Sequence, residues 1–260
     1  MLLANKNAVV YGGGGAVGGT VARAFAREGA RVFLAGRTLA TLGRVARDIV
    51  SAGGAAEAAS VDAFDEQALD AHARGVVEQA GSIDVAFNAV AVGNVQGTPL
   101  VEMSLADFTE PLSITTPHFL IAKAVAPHMV KQSSGVIMTL VAHVTRMGIG
   151  GVGGFGAGCG ALEGLSRQLA AELGPQGVRV VWLRSAGSPD TPGLDEVMRE
   201  AASKAGITRD ELEAQWADGI ALRRMPRLAE VGSTAALLAS DHASAITAAG
   251  ANMTCGAIVD

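Results

Sequence analysis

The apolar run Ala8–Tyr11 enters four consecutive glycines, Gly12 to Gly15, followed by Ala16, Val17 and Gly18 at the head of a helix-like stretch. A short apolar run bounded by glycine reads as a buried strand, and apolar residues at helical spacing behind it read as a helix packed back on that strand. A chain that opens this way and then repeats the alternation has few folds open to it. Here the alternation continues to the end. Strands are predicted at 31–35, 56–61, 83–88, 135–141, 179–183 and 251–253, and helices at 17–28, 39–52, 66–80, 104–130, 155–173 and 231–239. The polar stretch 195–215 is predicted helical and outside the sheet. This order predicts an α/β fold: a single doubly wound, Rossmann-type parallel sheet with helices on both faces and ligands beyond the carboxyl ends of its strands. No Ser/Pro-rich linker divides the 260 residues, so one domain over 1–260 is expected, with a helical substrate lid at about 188–225.

The glycine segment is also the first functional candidate. Gly13, Gly15 and Gly18 satisfy G-x-G-x-x-G between a strand and a helix, the context in which that spacing reports a dinucleotide site. Without side chains the backbone approaches a pyrophosphate, whose charge then meets the helix N-terminus. Gly12, Gly14, Gly15, Val17 and Gly18 are therefore assigned to the cofactor. An NAD site offers a carboxylate to the ribose 2′-hydroxyl about twenty residues further on. The corresponding stretch here is Ala35-Gly36-Arg37, with a guanidinium and no acid. Arg37 suits a 2′-phosphate, so NADP(H) is expected in preference to NAD(H). The plainer reading is a solvated arginine opening a helix. Asp62, after the third strand, is placed to accept from an adenine amino group or to cap the next helix, and both readings stand open.

With these motifs in view, the chain resembles the short-chain dehydrogenase/reductase superfamily over nearly its whole length. The family's T-G-x-x-x-G-x-G loop is matched by 11–18, with Tyr11 for the threonine and Ala16 for the middle glycine. Asn88-Ala89-Val90-Ala91 is similar to the N-N-A-G turn and keeps its first asparagine, so Asn88 joins the cofactor residues. Leu238-Ala239-Ser240-Asp241 through Gly250 and Asn252 to Cys255-Gly256 resembles the family's carboxy-terminal pattern. The resemblance implies an active site with Tyr-x-x-x-Lys on one helix, a serine thirteen residues before the tyrosine, and an asparagine on the preceding helix. Those positions hold Phe155, Cys159, Ala142 and Ile114. Tyr11 is the chain's single tyrosine, and no lysine lies on the Phe155 helix. A phenylalanine exchanges no proton, and a thiol brings no positive charge to lower a phenol pKa. The resemblance thus implies an atypical member lacking all four catalytic groups.

Substitutes are sought in the loop after the fifth strand. His143 is a candidate proton donor by its reference pKa near neutrality, and Arg146 a candidate anion ligand. Arg184, at the end of the sixth strand, shares the second role. A packed or solvated side chain is the competing reading for each. Cys159 reads first as a small buried hydrophobe, and Trp182 and Trp216 as core fillers before pocket walls. Glycine recurs through 148–160, so this stretch is expected to be mobile or in close backbone contact. Gly156, Gly160 and Gly164 leave room for a partner helix, and the family resemblance implies a homodimer or homotetramer. Pro111 and Pro117 are expected to kink or shorten the helix predicted at 104–130.

Composition narrows the rest. Hydrophobic residues make up 49% and charged residues 17%, a globular balance. The net charge of −5 without a basic run argues against nucleic acid or an anionic membrane. Two cysteines form no metal or redox motif, so no metal is expected. No leader-like or membrane-spanning segment is read, and a cytoplasmic protein is expected. The leading functional expectation is an NADP(H)-dependent oxidoreductase with a non-standard active site, acting on a small carbonyl, alcohol or conjugated-alkene substrate. Two alternatives stand beside it: a non-redox dehydratase, isomerase or cyclase in the same pocket, and a catalytically silent nucleotide-binding protein.

Overall fold

The computed structural model describes residues 1–259. Seven strands form one parallel sheet: β1 (Asn7–Tyr11), β2 (Arg31–Gly36), β3 (Ala55–Ser60), β4 (Val85–Asn88), β5 (Gly135–Ala142), β6 (Val178–Ser185) and β7 (Ala249–Met253). Their order is β3-β2-β1-β4-β5-β6-β7, so the winding reverses between β1 and β4. Strand order reverses there because the helices after β1 and β4 lie on opposite faces, which opens a crevice above the two strand ends. The doubly wound fold is as expected.

Alternation along each strand sorts the side chains into two cores. Ala8 and Val10 of β1 face α1 (Ala16–Arg27), α2 (Leu39–Ser51) and α9 (Leu228–Ala239), where Phe25, Leu42, Val45 and Val231 are buried. Val9 and Tyr11 face the opposite layer, built from α3 (Glu66–Ala80) and α5 (Thr115–Gln132), where Leu69, Val76, Ile121 and Met129 are buried. Burial on both faces explains the near-continuous apolar runs of the central strands. Strand β3 is the exception, because it is an edge. It reads Ala-Ala-Glu-Ala-Ala-Ser and is largely exposed, with Glu57 paired to Arg31 at 2.5 Å. A charge on the rim discourages edge-to-edge pairing.

Two expectations are refined. The helix predicted at 104–130 is broken into α4 (Leu105–Thr109), a 3₁₀ segment over 110–114, and α5. Pro111 lacks an amide proton and its ring excludes a continuous α-helix, whereas Pro117 sits in the first turn of α5, where no partner is lost. The polar helix predicted at 195–215 is two helices, α7 (Pro192–Ala205) and α8 (Arg209–Asp218). Gly206 ends α7 in the left-handed conformation, and Thr208 restarts the chain with a capping box to Glu211. The glycine-rich stretch divides as well. Gly154 and Gly158 of α6 (Gly154–Leu173) lie so close to the carbonyls of Phe108 and Pro111 that no side chain fits, whereas Gly160 and Gly164 face open space.

Candidate active site

Two cavities open over the carboxyl ends of the strands and share Ala89, Val90 and Ala91. The outer one, of about 310 Å³, lies at the ends of β1, β2 and β3 and is lined by Gly12, Gly14, Gly15, Arg37, Thr38 and Asp62 among others. Backbone geometry forms its floor. Gly12 has φ +77, and a Cβ there would lie 2.5 Å from the Ala89 carbonyl oxygen. A Cβ on Gly18 would fall on the Gly12 carbonyl. Gly15 caps α1 without any side-chain hydrogen bond, which leaves the first amides of the helix to a ligand. A dinucleotide fits this cradle. Its pyrophosphate would lie against Gly12–Gly15, its adenosine end in the outer cavity, and its nicotinamide end in the inner one beyond Ala89–Ala91.

Arg37 is exposed on the wall of the outer cavity and makes no ion pair among the described residues. Asp62 lines the same cavity, and its carboxylate accepts from the Phe64 amide at 3.0 Å. The helix cap is Asp65, which accepts from Ala68, so the capping alternative for Asp62 is set aside. Asn88 ends β4 fully buried, its side-chain oxygen accepting from the Val90 amide at 2.9 Å, which shapes the turn shared by both cavities. Val17 lines the inner cavity. Thr38 and Thr41 also line the outer cavity; they were invisible in sequence because nothing in a helix start marks a side chain as facing a ligand.

The inner cavity, of about 390 Å³, has Ile114, Ala142, Phe155 and Cys159 on its wall together. Val92, Val141, Leu194 and Val231 add apolar surface, and among the described residues no Asp, Glu, Lys, Arg or His lines it. Cys159 is buried; burial raises its thiol pKa, as does the charge of Glu163, against one backbone hydrogen bond at Ala142 that lowers it. The thiol is neutral and packed, not primed for attack. Polar groups on the wall are Asn88, Asn94, Thr139, Ser185, Ser188 and Thr191.

His143 and Arg146 lie beside this cavity but line neither one. His143 opens the 3₁₀ turn after β5 and is half-buried; burial lowers its pKa, against a hydrogen bond with the Ser185 backbone that raises it. Arg146 follows the turn and is exposed. The expectation that Arg184 binds a substrate anion needs correction. Its side chain is buried and pairs with Glu163 at 3.0 Å. Glu163 also accepts from Thr145 at 2.9 Å and from Arg167 at 2.9 Å. Burial opposes ionisation of Glu163, yet the hydrogen bonds from Arg184 and Thr145 and the charges around it hold its pKa below the ordinary value. This cluster ties the β5 loop, α6 and β6 together beneath the cavity. Trp182 is core, stacked under Arg167 at 5.1 Å, and Trp216 lies half-exposed on α8 away from both cavities.

Comparison with known proteins agrees with this geometry. A family model described as enoyl-(acyl carrier protein) reductase matches residues 14–257. The short-chain reductase protein NovJ of Streptomyces niveus is 30% identical over 241 residues, covering 92% of this chain and 89% of its own. The crystal structure of sorbitol-6-phosphate 2-dehydrogenase SrlD from Erwinia amylovora superposes with a TM-score of 0.89 at 28% identity, covering 97% of this chain and 100% of its own. A 7α-hydroxysteroid dehydrogenase solved with NADH and 7-oxo glycochenodeoxycholic acid gives a TM-score of 0.84 at 26% identity over 99% of this chain and 96% of its own. The chain belongs to the short-chain dehydrogenase/reductase superfamily, a family of nicotinamide-dependent oxidoreductases. Among the described residues no helix is long and apolar enough to cross a membrane.

Proposed function

We infer that this protein is an NADP(H)-dependent oxidoreductase that reduces or oxidises an uncharged, apolar substrate through a carbonyl, alcohol or conjugated-alkene group. The observation that carries the cofactor is Arg37, a guanidinium directly after β2 on the wall of the adenosine cavity, where an NAD site would present an acid. The apolar inner cavity supports the substrate class, since a charged substrate would find no counter-ion on that wall among the described residues.

When bound, the nicotinamide supplies or accepts a hydride at the inner cavity. The residues of this chain orient the two reactants. In the family's active site a tyrosine, lysine, serine and asparagine assist the proton; here Phe155, Cys159, Ala142 and Ile114 hold those positions, and the site is atypical. The proton is exchanged with water, relayed at the rim by His143, with Arg146 beside it. The loop and helices over 188–225 serve as a lid, consistent with Ser188, Thr191 and Leu194 on the cavity wall. The open faces at Gly160 and Gly164 of α6 and the exposed Phe119 on α5 support a homodimer or homotetramer, and a cytoplasmic location fits the composition. The four unreactive side chains also favour a second reading, in which nucleotide binds and no hydride moves, or in which the pocket performs non-redox chemistry.

The test is a fluorescence titration of NADPH and NADH against the wild type and Arg37→Ala. A charge-assisted contact contributes about 1.5–3 kcal/mol, so NADPH should bind roughly 10- to 100-fold tighter than NADH, and Arg37→Ala should erase that preference. Tighter binding of NADH by the wild type ends the NADP(H) reading.

A further inference from the structure

In the inner cavity the position of the family's serine is occupied by Ala142, and no hydroxyl stands there. The adjacent strand supplies one. Strands β5 and β6 pair in register through their last residues, Ala142 opposite Ser185. Parallel neighbours in register carry their side chains on the same face of the sheet, roughly 4.8 Å apart in backbone spacing. Ser185 is buried, at 4% exposure, and its side chain lines the cavity beside Ala142, Phe155 and Cys159. Its oxygen accepts a hydrogen bond from the Gly187 amide at 3.2 Å. Its own proton has no acceptor among the described residues.

Of the other hydroxyls on the wall, Thr191 donates to the Ser188 carbonyl oxygen at 2.8 Å, Ser188 lies beyond the end of β6, and Thr139 is committed on β5. Thr139 donates to the Asn88 carbonyl oxygen at 3.3 Å, and it lies three residues further down β5, level with Trp182. Asn88 pairs with Thr139 at that lower level. Among the described residues of β5 and β6 on this wall, Ser185 offers the buried, unspent hydroxyl proton level with the vacated position, held from behind by an amide that polarises its O–H bond. A buried donor without an acceptor is costly unless a ligand takes the proton's hydrogen bond.

We propose that Ser185 is a catalytic hydrogen-bond donor that takes over, from β6, the stabilisation of negative charge on the substrate oxygen. The assignment rests on the reading of the inner cavity as the place where a carbonyl meets the nicotinamide. Ser185 gives a hydrogen bond and keeps its proton. As the carbonyl carbon gains the hydride, the π pair moves to oxygen, and the proton completing the alcohol comes from water, which is left as hydroxide. A pre-placed donor of this kind stabilises the developing oxyanion more than the ground-state carbonyl.

The test uses the full-length protein, Ser185→Ala and Ser185→Thr, with cyclohexanone carrying a ¹³C carbonyl as the probe. Infrared difference spectra are taken with and without NADP⁺, and NADPH oxidation by the same ketone is followed at 340 nm. In the wild type the labelled band should lie to lower frequency than in buffer; Ser185→Ala should return it to the buffer position, and Ser185→Thr should keep the shift. Where turnover is measurable, Ser185→Ala should lower kcat about 100-fold or more, with the NADPH dissociation constant unchanged and Ser185→Thr partly restored. A wild-type band at the buffer position, or one unmoved by Ser185→Ala, overturns the assignment. So does an Ala variant that weakens NADPH alone, since the hydroxyl would then serve the nicotinamide. Failure of NADPH to bind the wild type removes the oxidoreductase reading instead, and the band measured without nucleotide still decides the role of Ser185.

Discussion

His118 lies on α5, fully enclosed, with its Nε2 3.3 Å from the Ser166 hydroxyl of α6. That hydroxyl has one proton, and it donates it to the Leu162 carbonyl at 2.8 Å. The serine oxygen therefore accepts from His118, which fixes the ring as the neutral Nε2–H tautomer and leaves Nδ1 as a lone pair without a partner among the described residues. Protonation would add a second N–H and a full charge with nothing to receive either, and burial pushes the pKa down to about 4 from 6.5. Between those two values the unfolded chain binds a proton that the folded chain refuses. The contribution to stability is complete above pH 6.5 and is lost as the pH falls to about 4. Each pKa unit is worth about 1.36 kcal/mol, so the loss sums to roughly 3 kcal/mol.

Urea unfolding followed by far-UV circular dichroism, at half-unit steps from pH 7 to pH 4, reads this directly when the wild type is compared with His118→Gln. Carboxylates shared by the two proteins cancel in the difference. The stability advantage of the wild type over the variant should shrink by about 3 kcal/mol across that range, with the slope concentrated below pH 6.5. An advantage that stays constant to within about 0.5 kcal/mol would mean that the buried ring takes up its proton as readily as it does in the unfolded chain, and the tautomer argument would fall.

Two further outcomes follow from the same structure. Gly18→Ala, whose Cβ would meet the Gly12 carbonyl, should abolish measurable NADPH binding and lower the unfolding free energy by about 1–3 kcal/mol; a variant that binds NADPH within twofold of the wild type would show that the loop is not the cradle. Glu163→Gln should destabilise by about 3–5 kcal/mol, because the buried Arg184–Glu163 ion pair would be broken, whereas Glu163→Leu with Arg184→Leu should lose far less; equal losses in a urea titration would contradict a buried pair.

Much of this molecule is written locally, and that part was legible. The β1–glycine–α1 unit needs only contiguous residues to specify strand, turn and helix, and Arg37 announces itself as the first charged residue after β2. The resemblance-based spacing was also sufficient to bring Ile114, Ala142, Phe155 and Cys159 to one wall, because a helix and a strand end of known length fix where their residues lie. The break at Pro111 followed from a missing amide proton. The division of 195–215 into two helices did not, although Gly206 and the Thr208–Glu211 box carry the signal in hindsight.

What stayed hidden are relations between residues distant in sequence. Arg184 at a strand end looks like an anion ligand until Glu163 is found beneath it, and only packing between α6 and β6 brings the two within 3.0 Å. That pairing has a consequence for chemistry. Glu163 engages the Arg184 guanidinium, so on the proposed function a carbonyl oxygen in the cavity would gain stabilisation from hydrogen bonds rather than from that charge. Ser185 is the same kind of case, unremarkable in sequence and significant only because the β5–β6 register sets it beside Ala142. A wall with no charged side chain among the described residues, and with the unspent Ser185 hydroxyl level with Ala142, would suit a substrate whose oxygen carries charge only in the transition state, when a donor placed in advance contributes most.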